Sequence, residues 1–415
     1  MRIRKASILA ALVIANFATA SMGLPIGNPD GKFSGSNIAP VVFVCVAGLF
    51  FLGQHRAINR RFLWLMLVFN ASCMLSFAIF LVGYRWEPNV IVLFFEDAQV
   101  LFCVLLWWFA RENPAEFSIA VKRGILCFIP VAALYTWLEL HKGAGWLSFG
   151  MDDKSQSAVL LCCAAYIFIR CFGGKRDRVI GTGLFVASFL TVSRLPVFFM
   201  PAILFGLMRR SRVAAVVSLA AACAGAYVLA TAGNAVGNVF AVYDRLSSVQ
   251  TISQEDSTTA HLLLLKTAMR IKFSDPLAFV FGIGPSNFSK ALTSFQVSFD
   301  QLERVDPTFV DFARRGKAPL HSLPLQVLLD YNIAWFVVFV FALARGVRFL
   351  LQRHVLSDTL FFFGFFAASM FYSLHNKPYF YLYATTVAFF VSREARSVAR
   401  ERTHVVIADA LQPEG

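Results

Sequence analysis

The chain has 415 residues, of which 58% are hydrophobic and only 15% are charged, and its mean hydropathy is +0.65. This composition excludes a disordered chain, a coiled coil and a small disulfide-stabilised domain. The apolar residues form runs of 14 to 23 residues separated by short basic clusters. Such runs are typical of a polytopic membrane protein and argue against a soluble globular one.

Twelve apolar runs predict about twelve transmembrane helices, and therefore an all-α polytopic membrane protein. Each run is expected to be helical, because hydrocarbon leaves the backbone no other way to form its hydrogen bonds. Some runs are shorter than the roughly 20 residues that span a bilayer, so two pairs could instead be hairpins that do not fully cross. The runs are 6–22, 38–53, 62–83, 89–110, 124–140, 156–172, 179–192, 195–208, 213–231, 322–344, 359–374 and 378–392.

The positions of the basic residues predict the orientation in the membrane. With the N-terminus inside, the cytoplasmic segments contain 23 lysine and arginine residues, whereas the short loops on the opposite side contain 6. An excess of this kind marks the cytoplasmic side, so both termini are expected there. Topology thus explains the net charge of +14. The basic ends then contact anionic membrane lipids, and no nucleic-acid partner is expected.

The first run fits two interpretations. Basic residues up to Lys5 and a small-residue stretch at Ala18-Thr19-Ala20 are typical of a cleavable secretory signal as well as of an uncleaved anchor. We favour the anchor, and cleavage would leave the remaining topology unchanged. The chain then divides into helices 1 to 9 (1–231), a large external loop (232–321), helices 10 to 12 (322–392) and a basic cytoplasmic tail (393–415).

The external loop is the expected location of the function. Its nine basic and eight acidic residues indicate a folded insert and not a basic tail. A helix is predicted from about Ala260 to Phe273, capped by Ser257-Thr258-Thr259 and ended by Asp275-Pro276. Its predicted apolar face consists of Leu262, Leu263, Leu265, Ala268 and Met269.

Two cations stand one turn apart on this helix. Lys266 and Arg270 share a face, which is unfavourable unless an anion lies between them; a solvated helix face is the alternative. The segment Phe281-Gly282-Ile283-Gly284-Pro285-Ser286-Asn287-Phe288 follows and predicts a turn whose glycines allow close backbone approach. It is neither a dinucleotide-binding fingerprint nor a phosphate-binding P-loop.

Other polar residues fall at or within the membrane. His321 lies where the loop re-enters the bilayer, where a histidine can titrate near neutral pH, although a lone histidine in such a place is more often structural. Arg194 joins two runs of 14 residues, so it either lies below the headgroups, where a cation is typically functional, or extends its side chain to the surface. Glu96, Asp97 and Asp330 lie inside apolar runs and fit either a cavity lining or structural ion pairs.

Three blocks of this sequence resemble the bacterial O-antigen ligase and O-antigen polymerase superfamily. They are Thr191-Val192-Ser193-Arg194, the Arg270 helix with the turn 281–288, and His321-Ser322 with Gln326. Asp152-Asp153-Lys154-Ser155 matches a further polar block of these proteins. Asn332 and Trp335 depart from the ligase pattern, so the choice between ligase and polymerase stays open.

The resemblance implies a C-type membrane glycosyltransferase fold in the bacterial inner membrane, with the active site facing the periplasm. The implied donor is a glycan on undecaprenyl diphosphate, and the implied acceptor is lipid A-core or a second lipid-linked glycan. His321 would be the catalytic base. Arg194 and Arg270 would bind the diphosphate with help from Lys154 and Lys377, and Lys266, Asn287, Ser322 and Gln326 would support the site.

Metal-dependent transferases need clustered external carboxylates, and the first external loop contains only Asp30, so we predict transfer without a metal or other cofactor. The single displacement that the resemblance implies inverts the configuration. Ligase is the favoured activity, and polymerase is its alternative. A transporter of lipid-linked glycans is a second alternative, although no internal repeat is visible. A noncatalytic assembly partner is a third, and it predicts that neither His321 nor the arginines matter individually.

Overall fold

A computed structural model describes residues 5–21, 35–53, 60–86, 90–141, 147–151, 154–191, 193, 195–208, 256–285, 287–295, 300–305, 307–314, 322–352, 356–371 and 379–393. Within these ranges every regular element is a helix. Five described helices are long and apolar enough to cross a membrane, and four shorter apolar helices accompany them. The all-α membrane class is therefore supported, whereas the number of twelve spans remains a prediction.

Most helices follow the predicted runs closely, but the fifth and tenth runs need correction. Helix α5 begins at Pro114, ten residues before the predicted start at 124. The ninth run, 213–231, lies outside the described residues. We number the helices α1 (Lys5–Ala18, extended by a 3-10 turn Thr19–Ser21), α2 (Gly35–Leu52), α3 (Arg60–Tyr84), α4 (Val90–Glu112), α5 (Pro114–His141), α6 (Lys154–Tyr166, continued by a π-helical turn Ile167–Phe172), α7 (Lys175–Phe189), α8 (Pro196–Met208), α9 (Asp256–Ser274), α10 (Pro276–Phe281), α11 (Phe288–Ser294), α12 (Asp300–Val305), α13 (Pro307–Arg314), α14 (Leu323–Asp330), α15 (Ile333–Gln352), α16 (Leu356–Phe371) and α17 (379–393).

One group of helices packs tightly around α6. Helix α1 lies along α5, α6 contacts α7 and α8, and α8 lies along α16. Tyr166 of α6 stacks on Phe361 of α16 with ring centroids 4.3 Å apart, and Phe17 of α1 meets Tyr383 of α17 edge to face at 4.9 Å. Aromatic pairs in these geometries add to the dispersion energy of the core. We call α1, α5–α8, α16 and α17 the bundle.

A buried ion pair closes the bundle at the end predicted to be cytoplasmic. Arg170, in the π-helical turn, donates from Nε and Nη2 to the two carboxylate oxygens of Asp358, each at 3.0 Å. Tyr166 donates its hydroxyl to the same carboxylate at 2.5 Å. The pair joins the C-terminal end of α6 to the start of α16, as expected if these helices cross the membrane in opposite directions.

A second, smaller core joins α3 to the folded part of the external loop. Phe80 and Trp86, at the end of α3, pack with Ile271, Phe288 and Leu329 from α9, α11 and α14. Helix α15 continues from this core, and only 6% of its apolar stretch is buried inside the protein. We call α3, α9–α11, α14 and α15 the lobe.

The predicted single helix over 322–344 is wrong. Helix α14 ends at Asp330, and α15 begins at Ile333 after the extended residue Tyr331. Asp330, Tyr331 and Asn332 lower the hydropathy locally, but three polar residues between long apolar stretches do not by themselves show that the helix ends there. Its cause lies in the residues that pack against it, which supply hydrogen bonds to the carbonyls at the end of α14.

The predicted faces of α9 also need correction. The helix begins at Asp256, before the Ser257-Thr258-Thr259 segment expected to cap it, and it ends before Asp275 as predicted. Its buried side chains are Leu264, Ala268, Ile271 and Lys272, whereas Leu262, Leu265 and Met269 of the predicted apolar face are exposed. Both stripes have helical spacing, and the packing against α14 decides which one is buried.

Candidate functional site

Residues 275–285 and 287–294 form a helical hairpin that lies against the C-terminal half of α3. At its start, the Tyr84 hydroxyl donates to Asp275 Oδ2 at 2.8 Å; at the end of α10, Ser76 Oγ donates to the Phe281 carbonyl at 2.6 Å. Ser76 precedes Tyr84 by eight residues, which is about 12 Å along a helix. Helix α11 then returns to the level of Trp86, whose indole donates to Ser294 Oγ at 2.9 Å. The junction of α10 and α11 therefore lies about 12 Å from the C-terminal end of α3, measured along that helix.

This turn contacts the break between α14 and α15. The carbonyls of Leu329 and Asp330 accept hydrogen bonds from the amides of Ile283 and Gly284, both at 2.9 Å. The Tyr331 carbonyl accepts one from Lys272 Nζ at 3.1 Å. Carbonyls at the end of a helix have no partner within the helix, so these contacts stabilise an interruption that would otherwise be costly at membrane depth.

The close approach depends on the two glycines, as the sequence predicted. Gly282 has φ +74°, and a Cβ on it would lie 2.4 Å from the Tyr331 carbonyl group. Gly284 has φ +81°, and its Cβ would lie 2.8 Å from the Phe77 ring. An L side chain at either position meets both backbone strain and a steric clash. The predicted role of the glycines is thereby confirmed.

Lys272 is a buried cation that the sequence analysis did not single out. Its side chain is completely buried, on the face of α9 that packs into the lobe. Burial lowers the pKa of the Lys272 ammonium to about 8, and the nearby Asp330 carboxylate acts in the opposite direction. The spacing of Leu264, Ala268 and Lys272, four residues apart, was the available signal, because it places the lysine on an apolar stripe.

The membrane carboxylates Glu96 and Asp97 lie beside the same break. Tyr331 donates its hydroxyl to Glu96 Oε2 at 2.6 Å, and Asn70 donates to Asp97 Oδ1 at 3.2 Å. Within the described ranges, the two carboxylates are thus bonded by a tyrosine hydroxyl and an asparagine amide, and not by arginines. The Trp335 indole donates to Ser72 Oγ at 2.8 Å, which completes a polar contact between α3, α4 and α15.

Three of the predicted supporting residues are buried here. Asn287 donates to the Ile283 carbonyl at 2.8 Å, while its Oδ1 accepts no hydrogen bond from any described residue. Ser322, before α14, likewise has a buried Oγ without a partner among the described residues, and Gln326 is buried on α14. Buried polar atoms are nearly always hydrogen-bonded, so these two atoms are candidates to contact a ligand.

The predicted phosphate-binding residues that the structure describes lie away from the break between α14 and α15. Arg270 and Lys266 are exposed on α9, on the side away from the break. Lys154 begins α6 in the bundle, two residues before Gln156, whose side-chain oxygen accepts the Tyr379 hydroxyl. His321, Arg194 and Lys377 lie outside the described residues, so their convergence with Arg270 stays a prediction.

Within the described ranges, no group of three or more ligating side chains is arranged to hold a metal ion. No protein-family model matches the chain, and no curated protein sequence is significantly similar to it. The arrangement of polar groups at the helix break is therefore the basis for interpreting function.

Proposed function

We propose that this chain is a membrane glycosyltransferase that moves a glycan from undecaprenyl diphosphate to a sugar hydroxyl at the periplasmic face of a bacterial inner membrane. One observation carries the proposal. The glycine turn of one sequence block behind the resemblance packs against the C-terminal end of the helix that carries another, because Ile283 and Gly284 donate to the Leu329 and Asp330 carbonyls. A shared site would explain why those two blocks occur together.

The helix break supplies the rigidity that such a reaction requires. Helix α14 directly follows His321 in the chain, and its C-terminal carbonyls are bonded to the glycine turn and to Lys272. We assign to Lys272 the role of a positioning residue, which holds α14 and therefore the base at its start. Transfer rates are sensitive to displacements of about 1 Å, so loosening α14 is expected to slow the reaction.

The chemical step needs one base and a site for the leaving diphosphate. The acceptor hydroxyl attacks the anomeric carbon, the bond from that carbon to the diphosphate oxygen breaks, and configuration inverts. His321 takes the hydroxyl proton, which contributes roughly 10²- to 10⁴-fold. Arg194 stabilises the charge that develops on the diphosphate, because guanidinium groups bind such oxygens in fixed geometry. Arg270 is exposed on the side of α9 away from the helix break, so this step does not use it.

Lipid A-core is the proposed acceptor, which makes the protein an O-antigen ligase. A second lipid-linked glycan would make it a polymerase. A transporter of the same lipid-linked glycan is a separate candidate, and the interruption between α14 and α15 favours it, because interrupted helices often form substrate sites in transporters.

Reconstitution of the purified protein in detergent tests these alternatives. Wild type, His321→Ala and the control His141→Ala, at the exposed end of α5, are incubated with undecaprenyl-diphosphate glycan, lipid A-core and EDTA. We expect glycan transfer to lipid A-core by wild type and the control, with a loss of at least about 10²-fold in His321→Ala. The products are separated on a gel.

Other products would identify the alternatives. A ladder of longer lipid-linked chains would indicate a polymerase. Passage of unmodified donor across a vesicle membrane, with no transfer product, would reject the enzyme and support the transporter. Equal transfer by His321→Ala and wild type would reject His321 as the base.

A further inference from the structure

Helix α9 has a second apolar stripe, roughly 120° around the helix from the face that packs into the lobe. Leu262 and Phe273 on this stripe are 57% and 56% exposed, and Leu265 and Met269 between them are also exposed. The four residues follow one another with spacings of three and four. A helix with this much apolar surface outside its packed face is normally covered there too, by protein or by lipid.

The exposed stripe continues onto α10. Leu277, Phe279 and Val280 are exposed, and the rings of Phe273 and Phe279 lie 5.6 Å apart across the junction between the helices. We call Leu262, Leu265, Met269, Phe273, Leu277, Phe279 and Val280 the outer surface. It is large and contiguous, unlike the isolated apolar side chains that are common on soluble proteins.

The outer surface joins the face of α3 that a bilayer would contact. Asp275 is bonded to Tyr84 at the end of α3, and Phe281 to Ser76 farther along the same helix. Beside these contacts α3 exposes Leu81, whereas Val82, which is 85% exposed, lies on the opposite side of the helix. If α3 crosses the membrane, α10 lies at the depth of α3 residues 76–84, and the hydrocarbon beside Leu81 also reaches α10.

Two cations border the outer surface along one edge. Lys266 and Arg270 are exposed, and at about 100° per residue they project roughly 40° to 80° from the direction of Leu262. Helices that lie in a membrane surface combine an apolar face with lysine and arginine residues at its border, because these reach the lipid phosphates. The paired cations, unfavourable in isolation, then have an anion between them.

We propose that the outer surface lies in the outer leaflet of the membrane and that Lys266 and Arg270 bind the phosphate groups of anionic phospholipids. Helix α9 then runs along the membrane surface, and α10 descends into the bilayer beside α3. The proposal depends on α3 crossing the membrane and does not depend on glycan transfer. It assigns membrane lipid, and not a second protein, as the partner of this surface.

Depth-dependent quenching in nanodiscs tests the position of the surface. An environment-sensitive fluorescent amino acid is placed at Leu262 or at Phe273, and as a control at Arg304, which is exposed on α12. Lipids with a nitroxide quencher near the start of the acyl chain are then added. We expect quenching at both test positions to exceed that at Arg304 several-fold.

Quenching no greater than at Arg304 would overturn the proposal. Quenching at Phe273 without quenching at Leu262 would also overturn it, because α9 would then leave the membrane. A stable dimer that returns to monomer in Phe273→Ser would instead assign the surface to a second copy of this chain. Glycan transfer is measured on the same nanodiscs, so an inactive protein with normal quenching contradicts only the proposed function.

The role of the cations is tested with Lys266→Gln/Arg270→Gln. In nanodiscs that contain phosphatidylglycerol, we expect this double variant to lower quenching at Leu262 about two-fold, since each cation near an anionic surface strengthens binding. In phosphatidylcholine alone, the variant and the parent protein should be quenched equally. Arg304→Gln serves as the charge control, and an equal effect of that control would reject specific phosphate contacts.

Discussion

Helices α6 and α15 have similar lengths and hydropathies but opposite surroundings. In the 19-residue α6 segment 83% of the apolar stretch is buried inside the protein, whereas in the 20-residue α15 the value is 6%. Small residues such as Cys162, Cys163 and Ala164 let neighbouring helices approach α6 closely. Helix α15 instead directs Val337 and Phe341 outward. Hydropathy therefore identifies a span without indicating whether protein or lipid surrounds it.

The polar groups of the two regions differ in their surroundings. In the bundle, the Asp358 carboxylate is bonded on both oxygens by Arg170. Buried oxygens without a partner among the described residues occur in both regions, at Asn16 and Tyr383 in the bundle and at Asn287 and Ser322 in the lobe. Those of the lobe belong to the turn and the helix that meet at the break between α14 and α15. This position, and not the number of unbonded atoms, favours the lobe as the functional region.

The largest expected effect is the loss of the ion pair in the bundle. Asp358→Ala leaves the Arg170 guanidinium buried without its partner and should lower the free energy of unfolding by about 3 to 5 kcal/mol. Thermal unfolding in detergent measures the change. Glu303→Ala is the control, because its pair with Arg314 at 3.0 Å is exposed. That control should cost at most about 1 kcal/mol, and equal losses would contradict a special role for burial.

The next largest effect is expected in the lobe. Gly282→Ala places a Cβ 2.4 Å from the Tyr331 carbonyl group and strains a residue with φ +74°. We expect a cost of about 3 kcal/mol, together with loss of glycan transfer. Gly346→Ala in α15 is the control, since its Cβ has no neighbour within 4 Å. Unchanged unfolding and activity in Gly282→Ala would show that the turn does not hold the helix break.

A smaller effect is expected for Tyr331→Phe, which removes the 2.6 Å hydrogen bond to Glu96. The unfolding free energy should fall by about 2 kcal/mol, because the bond involves a potentially charged acceptor in a poorly solvated site. Tyr383→Phe in the bundle is the matched control. The Tyr383 hydroxyl is buried without a partner among the described residues, so its removal should be neutral or stabilising. Equal losses in both variants would contradict this difference.

The smallest effect near neutral pH is expected for Lys272→Met, and it changes with pH. The pKa of Lys272 is about 8 in the folded protein, against an ordinary value of 10.5. Between these values the unfolded chain binds more protons, so raising the pH favours the folded state.

Wild type should therefore gain stability relative to Lys272→Met as the pH rises from about 8 to 10.5. Melting temperatures measured across this range provide the test. Lys175→Met, at an exposed position on α7, is the control and should follow wild type. If the melting temperatures of wild type and Lys272→Met change with pH in parallel, burial does not lower the pKa of Lys272.

Much of the lobe was predictable from local signals. Asp275-Pro276 ends α9 because the Asp275 carboxylate accepts the Leu277 amide and the proline fits the first turn of α10. The glycines of the following turn indicated close backbone approach. Lys272 was not predicted, because α9 has two apolar stripes of helical spacing, and the sequence does not show that the one containing Lys272 is buried.

The sequence by itself determined the helical class, the approximate ends of most described helices and the special conformation at Gly282 and Gly284. These properties follow from hydropathy and from local backbone preferences, which depend only on nearby residues. Tertiary structure decided which face of α9 is buried and where the run over 322–344 is interrupted. Both depend on partners distant in the chain, since Ile283, Gly284 and Lys272 supply the hydrogen bonds that stabilise the end of α14.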